Sequence, residues 1–180
     1  MAPLDHNHIE DIAECIAAGR APRATGPYRV QIGDVGLNFQ PVRIEEPTPT
    51  GRQIMDAAAV RKLDEHMVFQ VLHNGELEEL RPDETVDLRT AGVERFIIFE
   101  GAASYRINLD GRIVEWGAPA ITGRVLKRLA GVDATRYGVW LENRNGGQDR
   151  SIGDDEIVRV DEVGLERFFT GVTQTTEGAA

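Results

Sequence analysis

The stretch DETVDLRTAGVERFI, Asp83 to Ile97, returns as DEIVRVDEVGLERFF, Asp155 to Phe169. Seven of the 15 positions are identical at an offset of 72 (83 to 155): Asp83/Asp155, Glu84/Glu156, Val86/Val158, Gly92/Gly164, Glu94/Glu166, Arg95/Arg167 and Phe96/Phe168. The same offset aligns Thr50-Gly51-Arg52 with Thr122-Gly123-Arg124, so the register reads as unbroken from residue 50 to residue 97. Upstream, Tyr28-Arg29-Val30 matches Tyr105-Arg106-Ile107 at an offset of 77, which gives the first copy five more residues in its first hairpin. Self-similarity at a fixed period marks a duplicated structural unit.

One unit can be read from the second copy. Tyr105 to Leu109 alternates and runs into Asp110-Gly111, a favoured two-residue hairpin turn, with Arg112 to Trp116 as the return strand. Thr122 is a candidate N-cap and Gly131 a candidate helix stop, and between them Val125, Leu126 and Leu129 share one helical face. Tyr137 to Glu142 reads as a strand and Asn145-Gly146-Gly147 as a turn. Ile157 to Val160 and Glu166 to Thr170 read as two further strands. The order β-β-α-β-β-β predicts an α+β β-grasp, a helix packed across a small mixed sheet. The first copy repeats it, with a helix around Thr50 to Ala59 and a strand from Met67 to Leu72.

The expected organisation is an N-terminal extension with a short helix (1–27), a first domain (28–101), a second domain (105–171) and a flexible C-terminal tail (172–180). In the extension, residues 8 to 19 carry Ile9, Ile12 and Ile16 on one face of a predicted amphipathic helix. Such a helix either packs on the first domain or docks a partner.

Composition excludes several classes. The formal net charge is −10, against the basic face a nucleic-acid binder needs. No run approaches the ~18–20 apolar residues that span a bilayer, and the first 20 residues lack the pattern of a signal peptide, so a cytoplasmic location is expected. Cys15 is the only cysteine, which excludes an intramolecular disulfide. His6 and His8 have no second ligand cluster, so no metal site and no cofactor is expected. Gly146-Gly147 lacks the Lys-Ser/Thr of a phosphate loop, and no catalytic triad spacing is present, so the chain is not read as an enzyme. Among the 20 basic residues only Lys62 and Lys127 are lysines, which leaves few amines on which chains of the protein could grow.

Trp116-Gly-Ala-Pro-Ala-Ile-Thr-Gly123, then Leu129-Ala-Gly131, Asp154-Asp-Glu156 and the closing Gly164-Leu-Glu-Arg-Phe-Phe-Thr170 resemble the bacterial multiubiquitin family over about residues 28 to 171. The first copy departs from the pattern, because Met55-Asp56-Ala57-Ala58-Ala59 lacks the Leu-Ala-Gly close. The resemblance implies a ubiquitin-like modifier made of tandem β-grasp domains. It also implies an activating enzyme, a conjugating enzyme, a deubiquitinase-like metalloprotease and target proteins as partners, and a role in antiphage defence.

A modifier of this kind needs a glycine near its C-terminus, because a bare backbone threads a narrow enzyme channel. The chain closes Thr170-Gly-Val-Thr-Gln-Thr-Thr-Glu-Gly-Ala-Ala180. Gly178 lies ten residues after Phe168 and is expected to be the conjugated residue, with Ala179 and Ala180 as a cap removed by cleavage between Gly178 and Ala179. Gly101, five residues after Phe96, has almost no tail and is expected to stay uncut. Trp140 alternates with Val139 and Leu141, so if those two face the helix it points outward. There it either anchors a partner or covers the other domain. The competing functions are a non-covalent β-grasp interaction scaffold and a sulfur carrier, the latter disfavoured by the lack of a terminal Gly-Gly.

Overall fold

A computed structural model describes residues 9–90 and 92–173. The chain divides into two compact units, Met1–Ala102 and Ala103–Ala180. Unit 1 runs β1 (Glu10–Asp11), α1 (Ile12–Ala17), β2 (Tyr28–Gly33), β3 (Phe39–Ile44), α2 (Gly51–Ala57), a single 3-10 turn at Leu63–Glu65, β4 (His66–Val71), β5 (Leu77–Leu80) and β6 (Arg95–Glu100). Unit 2 runs β7 (Tyr105–Leu109), β8 (Arg112–Trp116), β9 (Ala120–Thr122), α3 (Gly123–Ala130), β10 (Tyr137–Leu141), β11 (Arg150–Ile152), β12 (Ile157–Arg159) and β13 (Glu166–Val172).

Each unit puts its last long strand in the middle of its sheet. In unit 2 the order is β11-β10-β13-β7-β8, with β13 parallel to β7 and antiparallel to β10. In unit 1 it is β1-β2-β6-β4-β5, with β3 on the other edge of β2. A hairpin, a helix crossing one face and a last strand parallel to the first make the β-grasp. The two sequence offsets meet in one register: Arg95 pairs with Gln31, and Arg167 pairs with Asn108.

The repeated Thr-Gly-Arg has a local cause. Thr50 and Thr122 cap α2 and α3 by accepting from the backbone N–H of Gln53 and Val125, at 3.2 and 3.3 Å. The following glycine is held against backbone. A Cβ on Gly51 would stand 2.4 Å from the Arg81 carbonyl oxygen, and one on Gly123 2.3 Å from that of Gly153. The arginine then reaches an acid: Arg124 pairs with Asp155 at 2.8 Å and Arg52 with Asp64 at 3.1 Å. Gly131 ends α3 in the left-handed conformation (φ 68°) that a side chain would strain.

The helices bury one face each. Ile54 and Met55 join Tyr28, Val30, Val68 and Phe96 in the core of unit 1. In unit 2 Val125 and Leu126 are buried, as are Ile107, Val114, Val139 and Phe168.

Four sequence readings change. The register is not gap-free between residues 50 and 97. Sheet pairing matches Phe69 (opposite Ile97) with Trp140 (opposite Phe169), an offset of 71. The loop before the strand is one residue longer in unit 1 and the hairpin after it one residue shorter, so the offset returns to 72 at Leu80 and Ile152. Trp140 therefore corresponds to Phe69, and Val68 to Val139. The edge strand of the second sheet is β11, while β12 pairs with β9 away from it. Three residues, Arg150-Ser-Ile152, are too few to show alternation. The helix expected over residues 8 to 19 is α1 alone, because Glu10 and Asp11 instead pair in parallel with Tyr28 and Arg29. Finally, β13 continues through Gly171 to Val172, and the Thr173 N–H donates to the Arg136 carbonyl at 2.9 Å, so the first two residues of the expected tail are tied to the sheet.

Candidate functional site

The sheet face of unit 2 turned away from α3 is built by β10 and β13. Val139 and Phe168 point into the core, which sends Trp140 and Phe169 the other way. Trp140 and Phe169 face each other across the ladder, and their rings stack with centroids 5.7 Å apart, 12° from parallel. Phe169 keeps 37% of its surface exposed and Trp140 is half-buried.

A pair of glycines makes room for the indole. Gly138 lies directly opposite Gly171. A Cβ on Gly138 would stand 2.7 Å from Trp140 Cη2, and one on Gly171 3.1 Å from Cζ3. The indole therefore lies flat over bare backbone, a shape that keeps its conformational freedom low and its outer surface available. Unit 1 fills the four matching positions with Met67, Phe69, Ile97 and Phe99, and Phe69 meets Phe99 edge-to-face at 5.4 Å. Sequence reading found Trp140 but missed Phe169, Gly138 and Gly171, whose roles show only once the β10–β13 register is known.

The same glycine pairing bears on the chain end. Gly171 is a paired strand residue beneath an aromatic ring, closed to a threading channel. Gly178 and Ala179 lie outside the described residues, as do His6 and His8. The last described residue, Thr173, holds the Arg136 carbonyl with both its N–H (2.9 Å) and its hydroxyl (3.0 Å). Gly101 follows directly on β6, and its N–H donates to the Glu65 carbonyl at 2.8 Å.

The lysines differ in access. Lys127 is 7% exposed, and its Nζ donates to the Ala134 carbonyl at 3.0 Å and pairs with Asp154 at 2.7 Å. That pairing holds the Asp154 carboxyl below its usual value. The Lys62 side chain is 71% exposed, paired with Glu65 at 3.0 Å.

Cys15 is fully buried, and its thiol donates to Glu10 Oε1 at 2.9 Å. Burial first, then that carboxylate, pushes the thiol up to about 11. Such a thiol is a structural donor and a poor nucleophile. Among the described residues no group of three or more His, Cys, Asp or Glu could hold a metal ion, and no helix is long and apolar enough to cross a membrane.

Two β-grasp units in tandem, each closed by a central strand parallel to its first, define a ubiquitin-like tandem protein. Residues 34–101 and 105–173 each match the sequence profile of the multiubiquitin family. The chain belongs to that family. A search of curated proteins returns no match.

Proposed function

We propose that the chain is a protein modifier, joined to target proteins by an isopeptide bond through Gly178. A deubiquitinase-like metalloprotease first cuts between Gly178 and Ala179. An activating enzyme then adenylates the new carboxylate and passes it as a thioester to a conjugating enzyme, which delivers it to an amine. A cytoplasmic setting and a role in antiphage defence belong to the same proposal, the second resting on the family.

The carrying observation is the closure of β13. Gly171 is paired in the strand beside the Trp140 indole, and the sheet holds the chain as far as Thr173. The glycine beyond that point is Gly178, five residues past Thr173. Five residues reach at most ~18 Å, enough to carry a carboxylate clear of the sheet surface. The engaged backbone of Gly101 supports leaving the first unit's end uncut. The stacked Trp140–Phe169 pair, with Phe169 exposed and Trp140 half-buried, supports docking of the activating enzyme on this face.

The test incubates the full chain with its cognate protease and activating enzyme and weighs the products. Loss of two alanines, a thioester on the chain ending at Gly178 and failure of Gly178→Glu are the expected results. A thioester ending at Gly171, cleavage at Gly101, or an intact chain that only binds its partners would overturn the reading. The last of these would make it a scaffold, and a thiocarboxylate would make it a sulfur carrier.

A further inference from the structure

The first strand of each unit offers one edge to the last strand, but the last strand does not cover all of it. In unit 1, β6 pairs with β2 from Gln31 onward. The rest of that edge is taken by β1, which lies parallel to Tyr28 and Arg29, with the Glu10 N–H donating to the Pro27 carbonyl at 2.9 Å. Ile12 follows directly and is fully buried in the core with Tyr28 and Val93. Asp11 stands opposite Arg29 and pairs with it at 3.6 Å.

Unit 2 has the same edge and nothing on it among the described residues. β13 pairs with β7 only from Ile107 onward, and no strand joins Tyr105 or Arg106 on that side. The counterparts of the buried Tyr28 and Val93 are Tyr105 and Leu165, both only half-buried. Arg106, the counterpart of Arg29, is exposed and has no ion-pair partner among the described residues. Ser104, Tyr105, Arg106, Val160, Glu162 and Leu165 line an open groove of about 440 Å³ there.

We propose that this groove binds an extended segment of a partner protein in which an acidic residue is followed directly by an aliphatic one, added parallel to β7. The occupant is specified by the segment that fills the same place in unit 1. The acid stands opposite Arg106, as Asp11 stands opposite Arg29. The aliphatic side chain turns inward toward Tyr105 and Leu165, as Ile12 is buried in one cluster with Tyr28 and Val93. Backbone pairing supplies affinity and the two side chains supply selectivity. The residue before the acid is uncharged. In unit 1 that place is Glu10, whose carboxylate is met by Arg20 and Arg23, whereas in unit 2 it lies near Glu162 and the corresponding upstream positions belong to β6. The same ion pairs tie β1 to its own unit, which favours a partner's segment over the N-terminal segment of a second copy. This site is separate from the Trp140 face and independent of conjugation.

The test uses a synthetic peptide of residues 9–18 carrying Glu10→Ala and Cys15→Ala, titrated into the full chain and followed by backbone amide shifts. The expected result is saturating shifts at Tyr105, Arg106 and Leu165. Arg106→Glu should weaken binding at least tenfold without altering amides elsewhere, and Asp11→Arg in the peptide should restore it. No saturable shift at millimolar peptide, shifts that spare these three residues, or indifference to Arg106→Glu would overturn the proposal. So would self-association of the full chain that Arg106→Glu abolishes, which would give the groove to a second copy.

Discussion

Trp140 and Gly138 are mutually fitted: the indole of one occupies the space in which a side chain on the other would begin, 2.7 Å from a Cβ at residue 138. The ring is thus fixed before any partner arrives, which keeps the ordering cost of binding small. Trp140→Ala should weaken binding of the activating enzyme by about 2 kcal/mol, roughly 30-fold, with the far-ultraviolet spectrum of the fold retained. Gly138→Val should do the same by lifting the ring. Calorimetric titration checks both, and unchanged affinity would show that the enzyme docks elsewhere.

The two helix-starting glycines are predicted to be intolerant of even one carbon. Gly51→Ala and Gly123→Ala each press a Cβ onto a backbone carbonyl that cannot swing away. Each should cost about 1–3 kcal/mol, the usual range for forced overpacking. Urea denaturation followed by helix signal reads this. A variant as stable as the parent would mean that the helix can slide along the loop it abuts.

The lysines make a sharp contrast for chain growth. Under reconstituted conjugation, side-chain self-adducts should form on Lys62 and not on Lys127, whose amine is buried against Asp154 and the Ala134 carbonyl. Lys62→Arg should therefore remove side-chain-linked self-adducts, and peptide mapping of the products would reveal any attachment at Lys127.

Cys15 should react slowly while α1 stays seated. With its thiol pushed up to about 11 from 9.0, the thiolate fraction at pH 8 falls roughly 100-fold. Alkylation by iodoacetamide should be slower by at least that factor in the folded chain than in urea. A burst of labelling under native conditions would mean that α1 opens readily.

Acid should release the same segment. Burial alone would push the Glu10 carboxyl up, but hydrogen bonds from Cys15, Arg20 and Arg23 outweigh it and hold the group below its ordinary 4.5. A carboxyl depressed by folding stabilises the fold above its unfolded value and loses that contribution as pH falls through the folded one. Stability should therefore decline below about pH 4.5, and Glu10→Gln should flatten that part of the curve. Amide exchange of residues 12–17 across pH 3 to 6 is the measurement, and an identical profile in the variant would remove Glu10 from the account.

Much of the fold was legible because its signals are local. Thr-Gly-Arg announced both helices, Asp110-Gly111 announced a hairpin, and the Glu-Arg-Phe close announced the last strand of each unit, whose central place in the sheet only the pairing shows. The compensated shift around Phe69 and Trp140 was not legible, since a longer loop and a shorter hairpin cancel in the flanking offsets. β1 was hidden because two residues have no periodicity; only pairing with Tyr28 and Arg29 makes them a strand. At the candidate site, Trp140 could be read from alternation. Gly138 and Gly171 could not, because their role depends on cross-strand neighbours 33 residues apart in the chain.

The central position of β6 and β13 has a consequence for how the protein is made. During synthesis the first hairpin and helix of a unit emerge with no strand to bridge β2 to β4, or β7 to β10. Unit 1 cannot close its sheet until Glu100 has left the ribosome, and unit 2 cannot do so until β13 has. A chain interrupted before that point lacks both a finished sheet and the segment after Thr173. The finished end of unit 2 thus reports that translation has passed through the whole unit.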